Sequence, residues 1–388
     1  MLKTAWFYRL FGLFTLTFAG TFGILLRPDL FGVDAYATWL YIKSLGDFLG
    51  YQPLAKILFA VFPDNLLFFK WVMILCAFAC VVVLWELVRK RYDERTAWLT
   101  IPLLFALSPV LIFQFGGFEN EIFAYPLIFL AFYFFYNKKP VVGVIYLALA
   151  SGFWAGSVFM FLMVAPLSLP ALAIFLGICL WLPNDILSFL TIDPDILERI
   201  FLSGFSQLFL LVGPLVALFF EKDKRLWLGV GAGLVILALD GKAVMLLVPF
   251  AVLGLGKALV MVQERKISLK PWFVVAFLLI IGWNYVFLVQ QPTQNDRDLL
   301  EVAHIEAKNR DITLLSDWDY AYVTAIKENR VLAFNFYTSN PDYNGLNIPF
   351  VGLSQQYNPA WGCEVLAARP SFAREVTVFV CDRNAAPS

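Results

Sequence analysis

The chain alternates long apolar runs with short polar connections from its N-terminus to about residue 289. A helix needs about 20 apolar residues to cross the hydrocarbon core of a bilayer, and many of the runs approach that length. The pattern predicts about eleven spans, at residues 5–26, 66–88, 97–113, 121–136, 141–156, 157–168, 170–183, 207–220, 226–240, 243–262 and 272–289. The first run starts with basic residues, as a signal peptide does, but no A-x-A-like site precedes Arg27. We therefore expect it to be retained as a span.

The basic residues between the runs predict the orientation of the spans. They fall in loops on one side of the predicted membrane: Lys3, Arg9, Arg89, Lys90, Arg91, Arg95, Lys138, Lys139, Lys222, Lys224, Arg225, Arg265, Lys266 and Lys270. Loops rich in lysine and arginine stay cytoplasmic. This alternation requires an odd number of crossings within 141–183, and we favour three short crossings over one. The loops at 27–65, 114–120 and 183–206 then lie on the extracytoplasmic side.

After the last apolar run the chain becomes polar. We predict two domains, a transmembrane domain at 1–289 and a small external α/β domain at 290–388. Alternation and β-branched content predict helices at 297–309 and 320–328 and strands at 312–316, 330–334 and 375–381. Cys76, Cys80 and Cys179 lie in predicted spans, where they serve packing. Cys363 and Cys381 are the pair outside the membrane, where they either form a disulfide or remain two free thiols.

Composition supports the membrane assignment. Hydrophobic residues make up 61% of the 388-residue chain and charged residues 15%, whereas soluble domains are about 45–50% apolar and about 25% charged. The formal net charge is zero and no basic tract stands out. A nucleic-acid partner therefore has no electrostatic support.

Three acidic residues fall at the predicted external edge of the membrane. They are Asp34 in V-D-A-Y and the pair Glu119 and Glu121 in F-E-N-E. Carboxylates at that depth are costly unless they are paired or bind a metal, and Mg²⁺ or Mn²⁺ prefers oxygen ligands. A single glutamate at a helix start can instead offset the helix dipole. The spacing of the two glutamates, together with the aspartate, favours a divalent metal site.

Two further segments have alternative interpretations from their residues alone. Lys242 follows Asp240 and Gly241 at the outer end of a predicted span, where a lysine can extend to the membrane surface or bind a phosphate. The segment Ser316–Tyr322 reads S-D-W-D-Y-A-Y at the end of a predicted strand. It can form part of a binding site or a helix cap with packed aromatic rings.

Taken in order, these segments resemble the oligosaccharyltransferase catalytic-subunit family, membrane glycosyltransferases of the GT-C fold. That family has an acidic first external loop, an Asp-Asn-Glu-like second loop, an arginine seven residues before a proline in a late span, and a W-W-D-Y-G motif. The matching stretches here are V-D-A-Y, F-E-N-E, K-A-V-M-L-L-V-P from Lys242 to Pro249, and D-W-D-Y-A-Y. The last of these is the most specific.

The resemblance implies a GT-C-like polytopic α-helical fold and a role for each matching residue. Asp34, Glu119 and Glu121 would hold a divalent metal, with Asp34 and Glu121 acting in catalysis. Lys242 would contact the phosphate of a polyprenyl-linked sugar donor. An acceptor pocket would contain three residues of the last motif: Trp318, Asp319 and Tyr320. The protein would then transfer a glycan from a polyprenyl-(pyro)phosphate to a protein, glycan or lipid acceptor on the external face of the membrane.

The sequence also departs from that family. At the place of the S-V-S-E-like motif the chain reads Gly204-Phe205-Ser206-Gln207, which offers no carboxylate, and the external domain is short. An enzyme that uses a polyprenyl-monophosphate-linked sugar and a glycan or lipid acceptor would explain both departures. A transporter or a non-catalytic scaffold are alternatives of another class. A transporter predicts internal repeats and intramembrane charges, whereas this chain has no repeat and gathers its charges on one side.

Overall fold

A computed structural model describes residues 2–27, 30, 35, 38–39, 42, 53–164, 211–221, 223–237, 243–266, 270–289, 294–310, 313–316, 333–334, 349–354, 357–370 and 375–381. The helices are α1 Leu2–Thr21, α2 Gly23–Leu26, α3 Pro53–Phe59, α4 Leu66–Arg91, α5 Glu94–Leu107, α6 Val110–Gln114, α7 Glu121–Tyr136, α8 Pro140–Ser151, α9 Met160–Val164, α10 Val212–Ala217, α11 Lys224–Leu237, α12 Val244–Glu264, α13 Lys270–Val289 and α14 Gln294–Arg310. Short 3₁₀ turns occupy Ala155–Phe159, Leu218–Phe220 and Pro359–Trp361.

Three described helices are long and apolar enough to cross a membrane: α4, α12 and the Pro271–Leu288 part of α13. In α12, 78% of the most apolar stretch is buried within the protein, whereas in α13 only 22% of the corresponding stretch is buried. The helix α12 is therefore central, and α13 presents most of its surface to lipid. The protein is an integral membrane protein by this measure. The predicted crossing at 170–183 lies outside the described residues.

Two helix breaks, within the predicted spans at 97–113 and 5–26, lie on the side of the membrane domain where α13 ends. The run predicted at 97–113 is divided by Ser108 and Pro109 into α5 and α6, and the run at 5–26 turns at Phe22 between α1 and α2. A proline lacks the N–H that would continue a helix. Pro102 and Pro126 nevertheless lie inside continuous helices, so proline alone does not locate the break.

The two breaks are stabilised by neighbouring polar side chains of α13. Asn284 is fully buried, donates to the Gly20 and Ile280 carbonyls, and accepts from the Gly23 N–H at 2.9 Å. The indole of Trp283 donates to the Ala106 carbonyl at 2.9 Å. Backbone groups inside a bilayer have no water to bond, so such side chains replace the missing helical bonds.

The C-terminal residues form a mixed five-stranded sheet in the order β2-β1-β3-β5-β4. The strands are β1 Thr313–Ser316, β2 Ala333–Phe334, β3 Phe350–Ser354, β4 Glu364–Pro370 and β5 Glu375–Cys381. β1 pairs in parallel with β2 and β3, and β5 pairs antiparallel with β3 and β4. The predicted helix at 320–328 lies outside the described residues.

A disulfide joins Cys363, just before β4, to Cys381 at the end of β5. The predicted bonded alternative for these cysteines is thus confirmed. The bond lies beside a small aromatic cluster in which Tyr357 and Trp361 pack on Phe379. It therefore fixes the ends of the β4–β5 pair against this part of the core.

Candidate functional site

One edge of the membrane domain, here called the distal edge, contains residues 115–120 and the outer ends of α2, α4 and α13. The 115–120 loop is held in place by close packing. Phe118 stacks on Phe69 of α4 with ring centroids 4.4 Å apart. A Cβ on Gly116 would lie 2.3 Å from the ring of Phe287, so only glycine fits there. The Asn120 side chain donates to the Phe153 carbonyl at 2.5 Å.

Two carboxylates lie at the distal edge, one in this loop and one at the start of the helix that follows it. Glu121 begins α7 and is 7% exposed, and Glu119 is half-buried two residues earlier. A carboxylate in the first turn of a helix is favoured by the helix dipole, which explains why α7 tolerates it. Burial of a charged carboxylate still costs free energy unless a cation or hydrogen-bond donors compensate.

The two glutamates fit part of a metal donor set. Their oxygens are the ligand type that Mg²⁺ and Mn²⁺ prefer. Within the described ranges, no three acidic, histidine or cysteine residues come together as a metal-binding group. Asp34, the third predicted ligand, lies outside the described residues, although the next residue, Ala35, is fully buried.

The same edge contains two buried cations that the sequence analysis did not select. Arg27, directly after α2, is 3% exposed, and Lys70, in the first turns of α4, is 5% exposed. The Arg27 guanidinium donates to the Phe287 carbonyl and lies 4.9 Å from the centroid of the Phe287 ring. Lys70 donates to the Arg27 carbonyl. Phe287 also packs against Gly116. One aromatic ring therefore separates Arg27 from the 115–120 loop that leads into Glu121, here called the glutamate loop. Arg27 directly follows the apolar run predicted at 5–26, and Lys70 lies within the run predicted at 66–88. Charge at the depth of the membrane is itself a signal of function.

The other predicted site residues lie outside the described residues. They are Lys242, Trp318, Asp319 and Tyr320. Their neighbours along the chain are described. The helix α12 begins at Val244, two residues after Lys242, and β1 ends at Ser316, two residues before Trp318.

The opposite edge of the membrane domain, here called the basic edge, has a different chemistry. Four ion pairs lie there, each at 2.7 Å: Arg9–Glu94, Arg89–Glu86, Arg91–Glu221 and Arg225–Asp223. The buried Glu221 also accepts from the Tyr92 hydroxyl at 2.6 Å. Burial and this bond to Glu221 raise the pKa of Tyr92 above its usual value. These contacts connect α4 to the segment before α11 and provide structural anchoring.

Comparison with known proteins identifies the fold but no closer relative. No protein-family model and no curated protein sequence matches the chain. The fold resembles that of an archaeal oligosaccharyltransferase. The structure superposes on that of AglB from Archaeoglobus fulgidus, which was solved in complex with an inhibitory peptide and a dolichol-phosphate. The superposition covers 89% of this chain and 70% of AglB, with a TM-score of 0.52 and 13% sequence identity.

The apo form of the Archaeoglobus fulgidus enzyme gives a similar result. Its TM-score is 0.51 at 13% identity, covering 88% of this chain and 66% of that one. The chain therefore shares its fold with this archaeal oligosaccharyltransferase, as the sequence resemblance had predicted. This chain spans about two thirds of the length of those enzymes.

Proposed function

We propose that this protein is a glycosyltransferase that moves a glycan from a polyprenyl-(pyro)phosphate to an acceptor at the distal, extracytoplasmic edge of the membrane. The observation that carries the proposal is the buried carboxylate of Glu121, beside Glu119, on a packed loop at that edge of an oligosaccharyltransferase-like fold. The similar archaeal structure holds a dolichol-phosphate and an inhibitory peptide. These ligands support a lipid-phosphate donor and an acceptor that approaches from outside the membrane.

The carboxylates are proposed to hold a divalent cation. Asp34, Glu119 and Glu121 would be its protein ligands, and the bound cation would supply Lewis-acid stabilisation of the donor's phosphate oxygens. The aromatic packing around Phe118 restrains the glutamate loop, which would hold Glu119 and Glu121 in position before substrate arrives. Asp34 would also orient the acceptor or take its proton as the new glycosidic bond forms.

The leaving phosphate gains negative charge as its bond to the sugar breaks, and cations at the distal edge would stabilise it. Lys242 is proposed to contact the phosphate directly. Arg27 and Lys70 would add positive potential from within the protein, where low polarity strengthens electrostatic interactions. The donor's lipid tail would remain among the spans, with its head group at the distal edge.

The acceptor is proposed to bind the C-terminal region, residues 290–388, as a separate external domain. Trp318, Asp319 and Tyr320 follow β1, at the carboxyl end of a parallel pair of strands. Ligands commonly bind at the carboxyl ends of parallel strands. The acceptor would thus meet the donor between this sheet and the glutamate loop.

A labelled lipid-linked glycan tests both parts of this proposal. Lys242→Ala should weaken donor binding and donor hydrolysis by water, since a charge-assisted contact worth roughly 1.5–3 kcal/mol is lost. Asp319→Asn should leave donor hydrolysis nearly intact and reduce transfer to the acceptor. Equal loss of hydrolysis in both folded variants would contradict this division of roles. An Asp319→Asn variant that affects neither reaction would show that the segment is only a structural cap.

A second candidate function is transfer from a polyprenyl-monophosphate-linked sugar to a glycan or lipid. Two features of the sequence favour it: the segment Gly204–Gln207 offers no carboxylate, and the C-terminal region is short. Membranes given labelled donors of both phosphate types distinguish the two functions. Label that passes from the pyrophosphate-linked donor into protein supports the first function, and label that passes only from the monophosphate-linked donor into glycan or lipid supports the second.

A further inference from the structure

A cavity of about 440 Å³ lies between α1, α5 and α13. Its lining is entirely apolar and includes Leu16, Trp98, Phe105, Ala276 and Ile280. An ordered water needs two to four polar partners, which this lining does not supply. The cavity therefore suits hydrocarbon.

The cavity opens onto the lipid-facing surface of the protein. Phe273 and Phe277 line it and are 37% and 59% exposed, and α13 presents neighbouring apolar side chains on the same outer surface. A chain from the surrounding bilayer can therefore enter from the side. The side chains of α1, α5 and α13 make the cavity apolar without a contribution from another helix of this protein.

The depth of the cavity matches one leaflet. Trp98 and Phe105 lie 4 and 11 residues beyond Glu94, which is about 6 and 16 Å along a helix at 1.5 Å per residue. Ile280 lies ten residues beyond the start of α13, or about 15 Å. Half of a hydrocarbon core is also about 15 Å thick. The cavity thus extends from near the basic edge to the middle of the membrane.

On the distal side the same helices are closed together. Asn284 joins α13 to Gly20 and Gly23, and Trp283 joins it to the end of α5. These contacts leave no continuation of the cavity toward the distal edge between α1 and α13. A lipid whose head group lies at the distal edge, as proposed for the donor, would not reach the cavity along this path.

We propose that the cavity binds one acyl chain of a phospholipid from the leaflet at the basic edge, and that this chain completes the packing of the inner half of α13. The distal half of α13 is held by hydrogen bonds, whereas its inner half faces α1 and α5 across the cavity. The bound acyl chain fills that gap. It thereby stiffens the helix that leads directly into the C-terminal region.

The test uses the full-length protein in nanodiscs with a phosphatidylcholine that carries a diazirine near the end of one acyl chain. Light should attach this probe to the Trp98–Phe105 segment. Ala276→Phe fills the cavity and should abolish that adduct. Val274→Phe adds the same ring two residues away, on a side chain 61% exposed to lipid, and should keep it. A polyprenyl phosphate with a diazirine in its tail is tested in parallel.

Three results would overturn the proposal: no adduct in this segment, an adduct that Ala276→Phe leaves unchanged, or labelling by the polyprenyl probe alone. If Ala276→Phe is not monodisperse, Ala19→Phe fills the cavity from α1 instead. Thermal unfolding in detergent gives a second measurement. Removal of lipid should lower the unfolding temperature of the wild type more than that of the cavity-filled variant, and equal losses would contradict the assigned packing role.

Discussion

The two halves of the membrane domain differ in how many polar groups they bury. Toward the distal edge the helices are broken, and Arg27, Lys70, Glu121 and Asn284 are buried. Toward the basic edge several charges form partly exposed ion pairs, such as Arg9–Glu94. Burying polar groups and interrupting helices in a bilayer both cost free energy. The distal half bears these costs, which favours it as the half that carries the chemistry.

Burial alone is not sufficient to mark a functional charge. At the basic edge Glu221 has a side chain only 5% exposed, yet it bonds to both Arg91 and Tyr92 and joins separate elements. The Glu221 carboxylate therefore has a structural role. The distal carboxylates differ because they come as a pair at the start of α7, on the same edge as two buried cations.

The largest expected effect separates the two edges by activity. Glu121→Gln removes a proposed metal ligand without changing its size, so transfer at limiting metal should fall by at least about ten-fold, the lower end for disturbed metal sites. Excess metal should restore part of the activity. Glu94→Gln, which removes an acid from the basic edge, should leave transfer unchanged.

Metal removal provides the matching control. A chelator should abolish transfer by the wild type. The negatively charged carboxylates repel one another when they lie close together, unless a cation neutralises them. If the Glu121→Gln variant stays fully active in chelator, the glutamate loop is structural, and the contrast between the edges no longer concerns catalysis.

The next effect tests whether the C-terminal sheet is stabilised separately from the membrane helices. The Cys363–Cys381 disulfide closes a loop with a sequence separation of 18, and a loop of about this size is worth roughly 2–4 kcal/mol. Reduction should destabilise the sheet and shift the mobility of a proteolytic fragment that contains it, while the membrane helices stay folded. Two free thiols found by mass spectrometry in the unreduced protein would contradict the bond.

Asn284 tests the distal helix breaks directly. Asn284→Leu leaves the Gly23 N–H and the Gly20 carbonyl without this partner, so the free energy of unfolding should fall by roughly 1–3 kcal/mol, the cost of a buried unsatisfied group. Tyr285→Leu, on the neighbouring residue that is 66% exposed, should have little effect. Thermal unfolding followed by labelling of the Cys76 and Cys80 thiols measures both variants. Equal stability of the two would mean that the break does not depend on α13.

The sequence predicted most described helices because a continuous apolar run is a strong local signal. Their breaks were harder to predict, since the break at Ser108 depends on a bond from Trp283, far away in the sequence. β5 was predicted with its observed bounds, Glu375–Cys381. β3 was missed because its five residues are all buried, so it shows no alternation of polar and apolar side chains.

The candidate site was predictable only where its residues share a short segment. Glu119 and Glu121 were selected as candidates from their spacing, and the structure places them at one edge. Arg27 and Lys70 are 43 residues apart and meet where α2 ends and α4 begins. No local pattern connects them, although the charge of Lys70 inside an apolar run gives a usable signal at that position.

The smallest expected effect lies at the basic edge and sets the scale for the others. Arg9 and Glu94 form a two-point ion pair, but their side chains are 28% and 42% exposed. Exposed pairs contribute roughly 0.2–1 kcal/mol, because water screens the charges and two long side chains lose freedom. A double-mutant cycle with Arg9→Gln and Glu94→Gln should therefore give a coupling energy in that range, measured by thermal unfolding.

Lys70→Met gives the comparison at the distal edge. Lys70 is buried and bonds to the Arg27 carbonyl, so its removal disturbs a contact that water cannot replace. We expect its loss to lower the free energy of unfolding, or the affinity for a polyprenyl phosphate, by more than the coupling between Arg9 and Glu94. If the exposed pair instead has the larger effect, burial does not separate anchoring charges from functional ones in this protein. The assignment of the chemistry to the distal half would then rest on Glu121 alone.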